Sequence, residues 1–158
     1  MITKQPLLAH AEAFTVCGLS VRTINRDEFN PQTAKLSTLW DQFLVSDMAN
    51  SLTNKRADSP IFAVYSHYES DASGFYTVTV GFALNTKSQG GEHPCVQVPS
   101  GDYLVFTGKG SMPQAVVETW QRVWAYFNEH SDYTRSYSSD YEVYENAEEI
   151  SIYIGVNQ

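Results

Sequence analysis

The chain has little cysteine, little basic charge and no long apolar run, and each shortage excludes a class of protein. No uninterrupted apolar stretch in its 158 residues approaches the roughly 20 needed to span a bilayer, so no membrane partner is expected. The opening "MITKQPLLAHAEAF" carries one lysine and no apolar core segment, unlike a secretory signal, and a cytoplasmic location is expected by default. The two cysteines, Cys17 and Cys95, stand far apart in no metal-like spacing, and are expected as reduced thiols rather than a bridge or a nucleophile. Ten Lys and Arg face eighteen Asp and Glu, a net charge of −8. That field repels phosphate backbones. Direct nucleic-acid binding is not expected, and cationic small molecules or basic protein surfaces suit it better. The four histidines, His10, His67, His93 and His130, do not cluster at ligand spacings. Phosphate-loop, Rossmann and zinc-protease patterns are missing. Neither a metal nor a cofactor is expected.

Aromatic residues are plentiful instead, with 10 Tyr, 8 Phe and 3 Trp. Tyrosine combines an apolar body with a polar tip and suits a partly wet pocket, although strands favour aromatics in any case. At 42% hydrophobic and 18% charged, the chain has the composition of one folded domain over residues 1–158. "FTVCGLSVRT" (14–23) reads as a strand. In "FNPQTAKLSTLWDQFLVSDM" Asn30 suits an N-cap and Pro31 the first helical position, while Leu36, Leu39, Trp40 and Phe43 recur at helical spacing. The polar run "NSLTNKRADSP" reads as a surface loop. Strands at 61–70 and 74–84 follow, joined through "DASG". "NTKSQGGEHP" is a polar connection, and "CVQVPSGDYLVFTGKG" holds one or two strands. A second helix carries Val116, Trp120, Val123, Trp124 and Phe127 on its apolar face, and "DYEVYE" and "ISIYIGV" close the chain as a hairpin.

The order strand–helix–strand–strand occurs twice, over roughly 12–85 and 95–157. "NPQ" opens one helix and "MPQ" the other; "FAVY" (62–65) answers "YEVY" (141–144). Two such units predict an α+β fold, an antiparallel sheet with two helices on one face and a groove on the other. Alternation along the strands assigns Ile150, Ile152 and Ile154 to the helices, and Tyr153 to the opposite face. It places Glu142 and Tyr144 toward the groove, with Ala63 and Tyr65 at the matching positions of the first half. Glu142 then has two readings. It points into solvent from a two-sided strand, or it pairs with a ligand cation, where each aromatic face adds about 0.5–2 kcal/mol. In the second case burial raises its pKa while no cation is bound.

The doubled order, the opening "FTVCGLSVRT", the middle "FAVYSHYESDASGFYTVTVGF" and the ending "YEVYENAEEISIYIGV" resemble the GyrI-like, or AraC-type, effector-binding domain. That domain is the ligand-sensing part of Rob- and BmrR-like multidrug-responsive transcription activators. The resemblance runs from about Phe14 to Val156. It implies a curved antiparallel sheet with a central cleft for lipophilic, often cationic aromatic compounds, with a buried glutamate ringed by aromatics; Glu142 is the matching position. Tyr65, Tyr144 and Tyr153 are the candidate ring, with Trp40 and Trp124 as wall residues or core. No helix-turn-helix precedes Phe14, so the resemblance implies a standalone version that binds a small molecule. The alternatives it carries are a hydrolase of reactive small molecules using the same groove, and a gyrase-inhibitor-like interaction module. A regulator, gyrase or a second copy of the chain would be the protein partner.

Overall fold

The computed structural model describes residues 6–52, 55–71, 73–85, 93–129 and 132–157. Eight strands and four helices follow in the order β1 (Leu7–Ala11), β2 (Phe14–Ile24), α1 (Asn25–Glu28), α2 (Leu36–Val45), α3 (Met48–Ser51), β3 (Ile61–Ser66), β4 (Phe75–Ala83), β5 (Cys95–Val98), β6 (Gly101–Lys109), α4 (Gln114–Glu129), β7 (Thr134–Asn146) and β8 (Glu149–Asn157). All strands join one curled antiparallel sheet in the order β1-β6-β8-β7-β3-β4-β2-β5. The duplication is visible in that order. The triplet β6-β8-β7 with α4 mirrors β2-β4-β3 with α2, and the halves meet where β7 pairs with β3. At the seam Ala63 stands opposite Glu142, the same two positions that the sequence repeat aligns. Each half also lends its leading strand to the other: β1 pairs with β6 and β5 with β2. Neither β1 nor that exchange is anticipated from the sequence. No described helix is long and apolar enough to cross a membrane.

The sequence predicts the first helix from Pro31, but it begins at Leu36. Asn30 instead closes a local turn in which its side chain accepts from the Gln32 amide at 3.0 Å. Glu28 takes the capping role. Its carboxylate accepts from the amides of Lys35 and Leu36 at 2.9 and 3.2 Å, satisfying donors the first turn leaves open. Leu39 and Phe43 then sink onto β2 and β4 beside Met48, Val78 and Val80. On α4 the deeply buried positions are Ala115, Thr119 and Val123. The helix comes close because β6 offers Gly108, where any Cβ would collide with Thr119 Oγ1. Ile150, Ile152, Ile154 and Phe106 complete that core.

The other face of the sheet is equally apolar. Tyr141 stacks on Tyr153 at 4.6 Å between ring centres and meets Phe14 and Tyr103 edge-on, with Val16, Phe62, Val64 and Val98 around them. With both faces buried, apolar residues occupy both parities of the central strands, and alternation alone does not tell one face from the other. Register does. Glu142 is opposite Ile152 and Tyr144 opposite Ile150, and directly opposed residues share a face. Glu142 and Tyr144 therefore stand on the helix face, not on the face away from the helices that their alternation suggests. Tyr153 is on the far face.

The cysteines also depart from expectation. Cys17 lies opposite Cys95 in the β2–β5 register, and the two are bonded as a disulfide. Seventy-eight residues separate them, so only the strand exchange reveals the pair. The anticipated 85–94 connection lies mostly outside the described residues.

Candidate functional site

The cleft opens on the helix face, over the β3–β7 seam, because α2 and α4 each cover only their own half of the sheet. Its volume is about 520 Å³, within the range of small-molecule pockets. Leu36 and the α1 segment form one wall. Val116, Trp120 and Trp124, four residues apart along α4, form the other. Tyr65, Tyr68 and Tyr76 of the first half and Glu142 of β7 also line it.

Glu142 is 2% exposed and accepts three hydrogen bonds. Tyr65 Oη–H and Trp120 Nε1–H donate to Oε2 at 2.9 and 2.7 Å, and Tyr144 Oη–H donates to Oε1 at 2.7 Å. Every one of these donors is neutral, and no Lys, Arg or His among the described residues pairs with this carboxylate. Burial pushes its pKa above the ordinary glutamate range, and the three donors pull the other way without cancelling it. Burial, followed by the Glu142 charge, raises the Tyr65 and Tyr144 phenols, so both stay neutral donors across the physiological range. Ala63, opposite Glu142, leaves the space that the carboxylate and its ring of donors fill.

The aromatic rings form a continuous lining. Trp124 meets Trp120 at 6.2 Å, Trp120 meets Tyr65 at 5.3 Å, Tyr65 meets Tyr76 at 5.6 Å and Tyr76 meets Tyr68 at 5.9 Å. Trp124 is 38% exposed and stands at the mouth rather than in the core. At the other end Tyr68 Oη–H donates to Asp140 Oδ2 at 2.5 Å, and Arg135 Nη2 reaches the same oxygen at 2.6 Å. Burial works against the Arg135 charge, but Asp140 beside it holds the pKa above the ordinary value.

Of the residues singled out from the sequence, Glu142, Tyr65 and Tyr144 come together, and Trp124 joins the same cleft. Trp40 sits one layer behind, edge-on to Tyr144 at 5.0 Å. Tyr153 is away from them, stacked on Tyr141 across the sheet. Trp120, Tyr68, Tyr76, Arg135 and Asp140 are missed as site residues. Trp120 had a signal: it lies four residues before Trp124 on one helix flank, and its indole N–H needs a partner when buried. Arg135 had none, because an irregular stretch of β7 places it. Between Arg135 opposite Val156 and Asp140 opposite Ile154, β7 advances five residues while β8 advances two.

Comparison with known proteins agrees with this architecture. The protein from Bacillus subtilis (strain 168) named as a candidate transcriptional regulator, YobU, is 31% identical over 159 residues, covering 96% of this chain and 97% of its own. The integron cassette protein VCH_CASS2, from the mobile metagenome of Vibrio cholerae, superimposes with a TM-score of 0.85 at 33% identity, over 98% of this chain and 97% of that one. SAV2435, solved bound to tetraphenylphosphonium, has the same fold, with a TM-score of 0.76 at 15% identity over 98% and 94% of the two chains. The fold is thus that of the effector-binding domains of transcription regulators. The family model for integron-associated effector-binding proteins matches residues 8–156, and the chain belongs to that family, Cass2.

Proposed function

We propose that the chain binds lipophilic, cationic aromatic small molecules in the cleft between α2 and α4, with Glu142 as counter-charge. One observation carries this reading: a buried carboxylate, held by three neutral donors and no cation, sits in an aromatic cleft of about 520 Å³. An unpaired buried charge is costly. A ligand cation relieves that cost while its flat apolar body lies on Trp120, Trp124 and Tyr65. Among the described residues the charged side chains lining the cleft are Glu28, Glu142 and Arg135, and Asp140 already balances the arginine, so these side chains together favour positive charge. The relative that binds a lipophilic phosphonium, SAV2435, supports the same ligand class.

The test is a titration of the intrinsic tryptophan fluorescence with a delocalised aromatic cation and its neutral isostere. Glu142→Gln is expected to weaken the cation by about 30-fold, equivalent to about 2 kcal/mol, and the isostere by less than about threefold. Equal weakening of both would remove Glu142 from the charge role. Saturable binding of neither to the native protein would remove the reading altogether.

A further inference from the structure

The cleft has a second pole that the cation reading leaves unused. Arg135 lines it, its side chain is 8% exposed, and its one hydrogen bond among the described residues runs from Nη2 to Asp140. Its Nε is buried and has no partner among the described residues. A buried donor left unmade is a cost that native structures rarely carry without a reason. The guanidinium is also held firmly. Its Cζ lies 4.5 Å from the centre of the Tyr137 ring, and Asp140, fully buried, is itself fixed by Tyr68 Oη–H and by the Gly155 amide at 2.9 Å. Gly155 permits this, because a Cβ there would come within 2.8 Å of Ser136 Oγ and of the Ser139 carbonyl oxygen. The irregular stretch, the glycine and the acid together hold one arginine in place, and among the described residues only its Nη2 is engaged.

Arg135, Asp140 and Glu142 share the helix face of β7, since they stand opposite Val156, Ile154 and Ile152. Asp140 and Glu142 are two residues apart, about 7 Å along a strand. We infer, building on the cation reading, that the ligand is bipolar: besides its cation it carries an uncharged oxygen acceptor such as an ester, which docks on the guanidinium of Arg135 at the Tyr68 end of the cleft. Charge-assisted bonds to a pre-positioned guanidinium are strong and directional. This pole therefore discriminates among cations that Glu142 alone accepts equally.

Two dyes with the same xanthylium cation separate the poles: a rhodamine bearing its carboxyl ester, and the matching rosamine without it. The native protein is expected to prefer the rhodamine by about tenfold. Arg135→Lys keeps a cation beside Asp140 but lacks the planar guanidinium fork, and should bring the two affinities within about twofold. Glu142→Gln should weaken both dyes alike. If the native protein binds both equally, or if the preference survives Arg135→Lys, the second pole is refuted while the cation site stands. If neither dye binds the native protein, both readings fail.

Discussion

At the scale of single residues, Glu142 is governed by two opposing effects. Burial favours its neutral form, while the donors Tyr65, Tyr144 and Trp120 favour the carboxylate; burial wins and the pKa is raised. On the proposed reading the cation-binding form is the ionised one, so cation affinity is expected to be level above that raised pKa and to fall about tenfold per pH unit below it. A neutral isostere should show no such profile. Tyr65→Phe deletes one of the stabilising donors and should move the midpoint upward by roughly half to one unit, from a net hydrogen bond of about 1 kcal/mol. A midpoint moving downward would show that Tyr65 does not stabilise the charge. The stability effect has the opposite sense. A glutamate whose folded pKa lies above its unfolded value contributes fully below about pH 4.3 and loses that contribution as pH rises through the folded value. Ionised Glu142 therefore costs stability in the folded protein, and the proposed ligand cation would relieve that cost.

At the scale of elements, α4 carries the site wall, and its distance from the sheet is set at Gly108. Gly108→Ala places a methyl against Thr119 Oγ1, and Thr119 is itself bonded at 2.6 Å to the Ala115 carbonyl. The substitution should destabilise the protein by about 1–3 kcal/mol, read as a lower melting temperature. It should also weaken cation binding, because Trp120 and Trp124 move with the helix. Adding Thr119→Ala removes the obstructing oxygen and should recover much of the loss. No recovery would mean that the close approach at Gly108 does not set the helix position. On the first-half side, Glu28 both caps α2 and lines the cleft, so the fold and the site are coupled at that wall as well.

At the scale of the whole molecule, the exchange of β1 and β5 ties the halves together beyond the single β3–β7 seam, and the Cys17–Cys95 disulfide fastens β5 to β2. Closing a loop of this length restricts the unfolded chain, and a disulfide typically stabilises by about 2–4 kcal/mol. Reduction, or replacement of both cysteines by serine, should lower the melting temperature correspondingly. Neither cysteine lines the cleft, so cation affinity should change by less than about twofold. A large loss of affinity would show that the edge strands and the seam are coupled.

How much was legible follows from which signals are local. Helical spacing on α4, the doubled element order and the alignment of Ala63 with Glu142 are carried by neighbouring residues, so they could be read directly. They pointed to an α+β antiparallel sheet, and the family resemblance added its curvature and singled out Glu142 beside Tyr65 and Tyr144. Three things were decided only by the tertiary structure. Strand register put Glu142 on the helix face and Tyr153 on the other, because both faces of the sheet are buried and period-two patterning carries no sign. The strand exchange brought Cys17 to Cys95 across 78 residues. The irregularity in β7 turned Arg135 back toward Asp140 and into the cleft. Patterning along a chain records which residues avoid water; which of them meet is settled by pairing between segments far apart in sequence.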